Sequence, residues 1–296
     1  MNIVDKGENT MLETGQIRTL EVAREAAFGY FLSDGETDVL LHKNETEGVL
    51  REGQEIEVFL YMDNQERLAA TMHQPLLQMG QFDWLKVTDV NKRMGVFLDM
   101  GIQKELLLSK DDLPFNWAQW PQVGDRVFVG LKHDRRGRLL AKLGLDVELA
   151  EHEKQGTRDL INTEVSGNVY RVIEPGAFLF TDENYIAFIH REDMNGTIRL
   201  GEFVTARVKS IRDDGRINVT HQASKKEAYY DDSESILQIL QDRGGAMPFT
   251  DKTSPETIRE RFGISKAAFK RAMGKLLKER KVYQEEGWTY LTSMKQ

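Results

Sequence analysis

The chain has 296 residues, a formal net charge of −8, 40% hydrophobic and 30% charged residues, and no cysteine. That balance predicts a globular protein of two or more domains, leaves out disulfides and thiolate metal sites, and fits a reducing cytoplasm. No apolar run reaches membrane-spanning length and no secretory signal opens the sequence, so neither a membrane nor secretion is expected. The charge is uneven: net −9 over residues 1–75, +3 over 76–145, −4 over 146–230 and +2 over 231–296. Local patches rather than the total set attraction to phosphate.

Residues 1–14 lack periodicity and read as a flexible tail. From residue 15 one pattern occurs three times. An aliphatic strand reaches Gly, and an aromatic follows two residues on: Gly29 and Phe31, Gly95 and Phe97, Gly176 and Phe178. A second apolar strand ends at His42, Ser109 or His190. Gly53, Gly124 and Gly201 then open a longer alternating strand that leads to a turn before Arg67, Arg138 and Arg216. The separation is 14 residues in the first two copies and 15 in the third. A period of about 60–80 residues is too long for a solenoid unit and suits small barrels that each close their own core. The predicted architecture is mainly β: three small barrels in tandem over 15–75, 80–145 and 163–222, with 146–162 a polar linker or short helix.

After Lys225 the apolar period changes from two to 3.6. Ser233 is positioned to cap a first helix. Ser254 and Pro255 open a second that ends at Gly263, and Ser265 caps a third running to about Glu279. A short hairpin turns at Glu285–Gly287. The order predicts a winged helix over 231–292.

Several residues are not explained by the barrel cores. Phe28 and Phe31 fall on opposite faces of a regular strand, but a bulge at Gly29 brings them onto one surface. With His42 and Arg67 they then form a stacking platform with a cationic rim, which is what single-stranded nucleic acid requires. Phe97 and Arg138 occupy these positions in the second module, and Phe178, His190 and Arg216 in the third. The competing reading is that the Phe residues are core. In the third helix of the winged helix, Lys266, Lys270, Arg271, Lys275 and Lys278 suit phosphate contact or a major groove. A solvated basic face or a protein-docking surface are the alternatives. The six His show no metal-ligand spacing, and neither a P-loop nor a G-x-S-x-G motif is present, so no catalysis, metal or cofactor is expected.

These repeats resemble the S1 RNA-binding domain, which implies that each is a five-stranded OB-type barrel. The first copy keeps Phe28, Phe31, His42, Asp63 and Arg67, and so matches the RNA-contacting set most fully. The third keeps Phe178, His190, Asp213 and Arg216 but has Pro175 at the first aromatic position. The second departs most, with Met94 for that aromatic and Ser109 for the His. The C-terminal segment around Asp251–Glu256, Phe262–Lys266 and Phe269–Gly274, together with the domain order, resembles the conserved virulence factor B family. That resemblance implies a cytoplasmic RNA-binding protein affecting gene expression in Gram-positive bacteria. The expected function is capture of single-stranded RNA by a monomer. The alternatives are a DNA-binding transcription regulator acting through the winged helix, and a protein-interaction scaffold.

Overall fold

The computed structural model describes residues 11–222 and 225–294. Residues up to His221 make one compact unit and those from Gln222 another. The first barrel comprises β1 (Ile17–Ala26), β2 (Gly29–Ser33), β3 (Asp38–His42), β4 (Glu55–Met62) and β5 (Leu68–Thr71). It closes in the order β1-β2-β3-β5-β4, with β3 and β5 parallel and β1 antiparallel to β4. The second barrel repeats that order with β6 (Phe82–Asn91), β7 (Gly95–Leu98), β8 (Leu106–Ser109), β9 (Arg126–His133) and β10 (Leu139–Leu143). The third repeats it with β11 (Glu164–Ile173), β12 (Gly176–Thr181), β13 (Ile186–His190), β14 (Phe203–Ile211) and β15 (Ile217–Thr220).

The repeated glycines have two physical causes. A Cβ on Gly29, Gly95 or Gly176 would meet a carbonyl oxygen of the neighbouring strand at 2.2, 2.0 and 2.2 Å, so only Gly lets the second and third strands approach. Gly53, Gly124 and Gly201 turn the chain at φ +80°, +98° and +80°, where a side chain is strained. The inward residues fill matching layers: Val22, Leu32, Leu41 and Leu60 in the first barrel, Val87, Leu98, Leu108 and Val129 in the second, Val169, Leu179, Ile189 and Val208 in the third. All are essentially buried, each worth about 1.5–3 kcal/mol. The extra residue in the third copy is absorbed by a bulge in β14 between Val208 and Ser210.

Two stretches outside the predicted barrels pack against them. Of the predicted tail, residues 1–10 lie outside the described residues, but Thr14 is buried and donates to the Gly137 carbonyl at 2.8 Å. The predicted linker packs onto the third barrel: α1 (Asp146–Leu149) buries Leu149 beside Tyr170 and Ile186, and the Gly156 amide donates to the Gly215 carbonyl at 2.8 Å. Its polarity is explained by ion pairs to the barrel, described below. The barrels are joined by Arg136–Glu66 at 2.9 Å and Arg199–Asp125 at 3.2 Å.

The C-terminal unit runs α2 (Lys225–Asp242), β16 (Ala246–Met247), α3 (Pro255–Phe262), α4 (Lys266–Lys278), β17 (Val282–Glu285) and β18 (Trp288–Leu291). Ser254 and Ser265 cap α3 and α4 by accepting from the amides of Thr257 and Ala268, both at 3.2 Å. Ser233 is not a cap. α2 begins at Lys225, and Ser233 lies inside it, buried against α4. The three strands order β16-β18-β17, and the wing turns through Glu286 and Gly287 at φ 48° and 83°. Ile236, Leu240, Ile258, Phe269, Met273 and Leu276 form its core.

Candidate nucleic-acid interface

Phe28 sits in the turn between β1 and β2 and is 49% exposed; Phe31 is half-buried on the outer face of β2. Their rings meet edge to face with centroids 6.1 Å apart, so both occupy one surface. The device that arranges this surface is a bulge, placed in β1 between Val22 and Arg24 rather than at Gly29. It sets Arg24 directly opposite Phe31, with the guanidinium 4.1 Å from the ring centroid. Arg24 also bonds Asp38 at 2.7 Å, an exposed pair worth little.

All three barrels carry the bulge at this position. In the third, it sets Arg171 opposite Phe178, with Phe188 as the next cross-strand partner. Arg171 lies 5.5 Å from the Phe178 centroid, and Phe178 and Phe188 are 4.8 Å apart. His190 meets Phe188 edge-on at 6.3 Å. In the second barrel the same register places Asp89 opposite Phe97 and Leu107 beyond it. Arg24, Arg171 and Phe188 were not singled out from sequence. The available signal was that Arg24 and Arg171 both stand seven residues before the registered Phe.

The His position has a structural task. His42 Nδ1 accepts from the Asn44 amide and His190 Nδ1 from the Glu192 amide, both at 3.3 Å, each capping a short helical turn. Ser109 Oγ does the same for Asp111 at 3.3 Å, which is why Ser substitutes there. With Nδ1 accepting, Nε2 carries the proton of the neutral ring, and both imidazoles are exposed.

The registered arginines separate. Arg67 is about half exposed and forks onto Asp63 at 2.7 and 2.9 Å. Burial acts to raise the Asp63 carboxyl, but the bonds from Arg67 outweigh it and hold it below the ordinary carboxylate value. Arg138 pairs likewise with Asp134 at 2.7 Å and lies 3.5 Å from Glu66. Arg216 departs from the expected rim. The turn hydrogen bond that joins Asp63 to Arg67 joins Arg212 to Arg216, so Arg212 rather than Asp213 holds the aspartate's place. Arg216 turns instead to Asp146 at 2.7 Å and Glu153 at 3.1 Å and is only 24% exposed. Burial disfavours its charge, yet those two carboxylates push its ionisation above the ordinary arginine value. Arg216 therefore anchors the 146–153 segment. The Tyr170 hydroxyl donates to the same Asp146 at 3.0 Å, and burial pushes its ionisation far above the usual range.

On α4, Lys270, Arg271 and Lys278 share one exposed face with Ala267 and Gly274, and Lys266 is half-buried at the first turn. Lys275 is corrected. It is buried on the opposite side, where Nζ donates to Ser233 Oγ at 3.0 Å. Its place among Ala272, Met273 and Leu276 follows from the 3.6-residue period.

Three S1-like barrels in tandem, followed by a winged helix, define the class of this protein. It belongs to the conserved virulence factor B family. An S1 domain model matches residues 14–73, the CvfB first S1-like domain 82–142, the second domain of virulence regulatory factor CvfB 149–222, and the CvfB-like winged helix domain 234–291. The "Uncharacterized protein YitL" of Bacillus subtilis is 44% identical over 279 residues, covering 94% of each chain. Conserved virulence factor B of Staphylococcus haemolyticus is 34% identical over 289 residues, again covering 94% of each. A solved Streptococcus pneumoniae structure, described as a multidomain protein with nucleic acid binding domains, is 31% identical with a TM-score of 0.63, covering 94% of this chain and 98% of its own. No helix among the described residues is long and apolar enough to cross a membrane.

Proposed function

We propose that this chain is a cytoplasmic, non-enzymatic, monomeric regulator of gene expression that captures single-stranded RNA by base stacking. The observation that carries this reading is the first barrel's surface, where Phe28 and Phe31 stand edge to face and Arg24 lies over Phe31. Flat π-faces beside a cation bind bases and phosphates together without demanding one sequence. The third barrel adds Arg171, Phe178, Phe188 and His190. The nucleic acid binding domains of the pneumococcal relative and the virulence role in the staphylococcal names support the same reading. Tethering weak sites in one unit raises avidity where a strand reaches both.

A second reading has the winged helix contact duplex DNA. It is favoured by Lys270, Arg271 and Lys278, which share an exposed face and pair with no acid among the described residues. Fluorescence anisotropy of the full chain with labelled single-stranded RNA, single-stranded DNA and duplex DNA of about 12 nucleotides separates the readings. Preference for single strands supports the first, duplex preference the second. Binding to none makes the protein a scaffold.

A further inference from the structure

A cavity of about 260 Å³ lies where the first two barrels meet. Phe97, Leu107, Met94 and Met100 of the second barrel line it, and Tyr61 and Met62 of the first close it. Met62 reaches across the junction: its methyl lies 3.8 Å from where a Cβ on Gly137 would stand. The mouth is tied across the barrels by Lys104 donating to Asn64 and by Arg138 beside Glu66. The cavity therefore belongs to the docked pair and to neither barrel alone.

Its chemistry points to a ligand. Phe97 stands in register with Phe31 and Phe178, yet among the described residues no other ring and no cation packs on it. Methionine thioethers are soft, polarisable partners for a π-system, and Met62, Met94 and Met100 supply three. Arg138 and Lys104 supply N–H donors at the mouth, where Asp63 also lies. Glu105 also lines the mouth and has no partner among the described residues, leaving its carboxylate to accept N–H donors. The volume falls below the range of pockets for drug-sized ligands and suits one flat heterocycle.

We propose that this cavity takes a single unstacked nucleobase of the bound strand, stacked on Phe97 and capped by Met62. Guanine fits best, because its ring N–H and amino group offer two donors to the Glu105 carboxylate. The inference rests on the RNA-binding reading and adds to it: a base held here is gripped by both barrels, so binding and barrel docking reinforce one another.

The test is a titration of the full chain, labelled with ¹³C-methyl methionine, with GMP, UMP and a guanine-containing oligoribonucleotide. GMP and the oligonucleotide should shift the Met62, Met94 and Met100 methyl signals by ring current, with UMP weaker. Glu105→Gln, an exposed change, should remove the guanine preference. Leu107→Trp should fill the cavity, abolish the shifts and weaken the oligonucleotide about tenfold. If the oligonucleotide binds by anisotropy while those methyls stay still, the cavity proposal falls and RNA binding stands. If the oligonucleotide does not bind at all, the RNA reading falls and takes the proposal with it. Equal shifts with GMP and UMP overturn the guanine assignment.

Discussion

The first and second barrels share a strand order and a bulge, and they differ in what that bulge sets opposite the registered Phe. In the first it is Arg24, in the second Asp89. The two also differ in overall charge, but in the reverse sense: net −9 over residues 1–75 and +3 over 76–145. If long-range charge governed binding, the second barrel would be the better RNA site. If local stacking beside a cation governs it, the first is. At physiological salt the screening length is about 8 Å, so contacts at 4–6 Å outweigh the regional total. Within one framework, a single cross-strand residue decides whether the registered Phe has a cation or an acid beside it.

The largest expected effect comes from inverting the cation. Arg24→Asp should weaken single-stranded RNA at least tenfold, read by anisotropy, because it removes the cation and sets an acid beside the platform. The converse change, Asp89→Arg, should strengthen binding several-fold and steepen the salt slope by about 0.7, the value of one added phosphate contact on a single strand. Failure of both would break the comparison.

A third change concerns the scaffold. Asp193 is buried and takes Lys209 at 2.7 Å and the Thr220 hydroxyl at 2.9 Å. Burial acts to raise its carboxyl, but these bonds dominate and hold it below the ordinary 3.8. Asp193→Ala should cost about 1–3 kcal/mol, seen as a lower melting temperature. Because the folded value is depressed, that contribution is complete above the ordinary carboxylate range and is lost as pH falls through the lowered value. The gap between wild type and variant should therefore narrow in acid. The smallest effect on RNA is expected from Lys270→Glu with Arg271→Glu, which should leave single-strand affinity unchanged and abolish any duplex binding.

The barrels were legible because their constraints are local and recur. Gly29, Gly95 and Gly176 answer to one close strand approach, and Gly53, Gly124 and Gly201 to one left-handed turn. Helix starts at Ser254 and Ser265 were legible for the same reason. The platform's cation was not, because a bulge shifts which residue faces Phe31, and only the seven-residue spacing that Arg24 shares with Arg171 marks it. Arg216 was misplaced because its partners, Asp146 and Glu153, lie more than 60 residues away. Lys275 was grouped with surface lysines by charge, although the helical period puts it beside Ala272 and Leu276.

The most direct test of the central claim is ultraviolet crosslinking of single-stranded RNA to the full chain, with the crosslinked residues mapped by mass spectrometry. Crosslinks at Phe28 and Phe31 are predicted, lost in the Phe28→Ala, Phe31→Ala double variant. Crosslinks confined to α4, or unchanged in the double variant, would contradict the account.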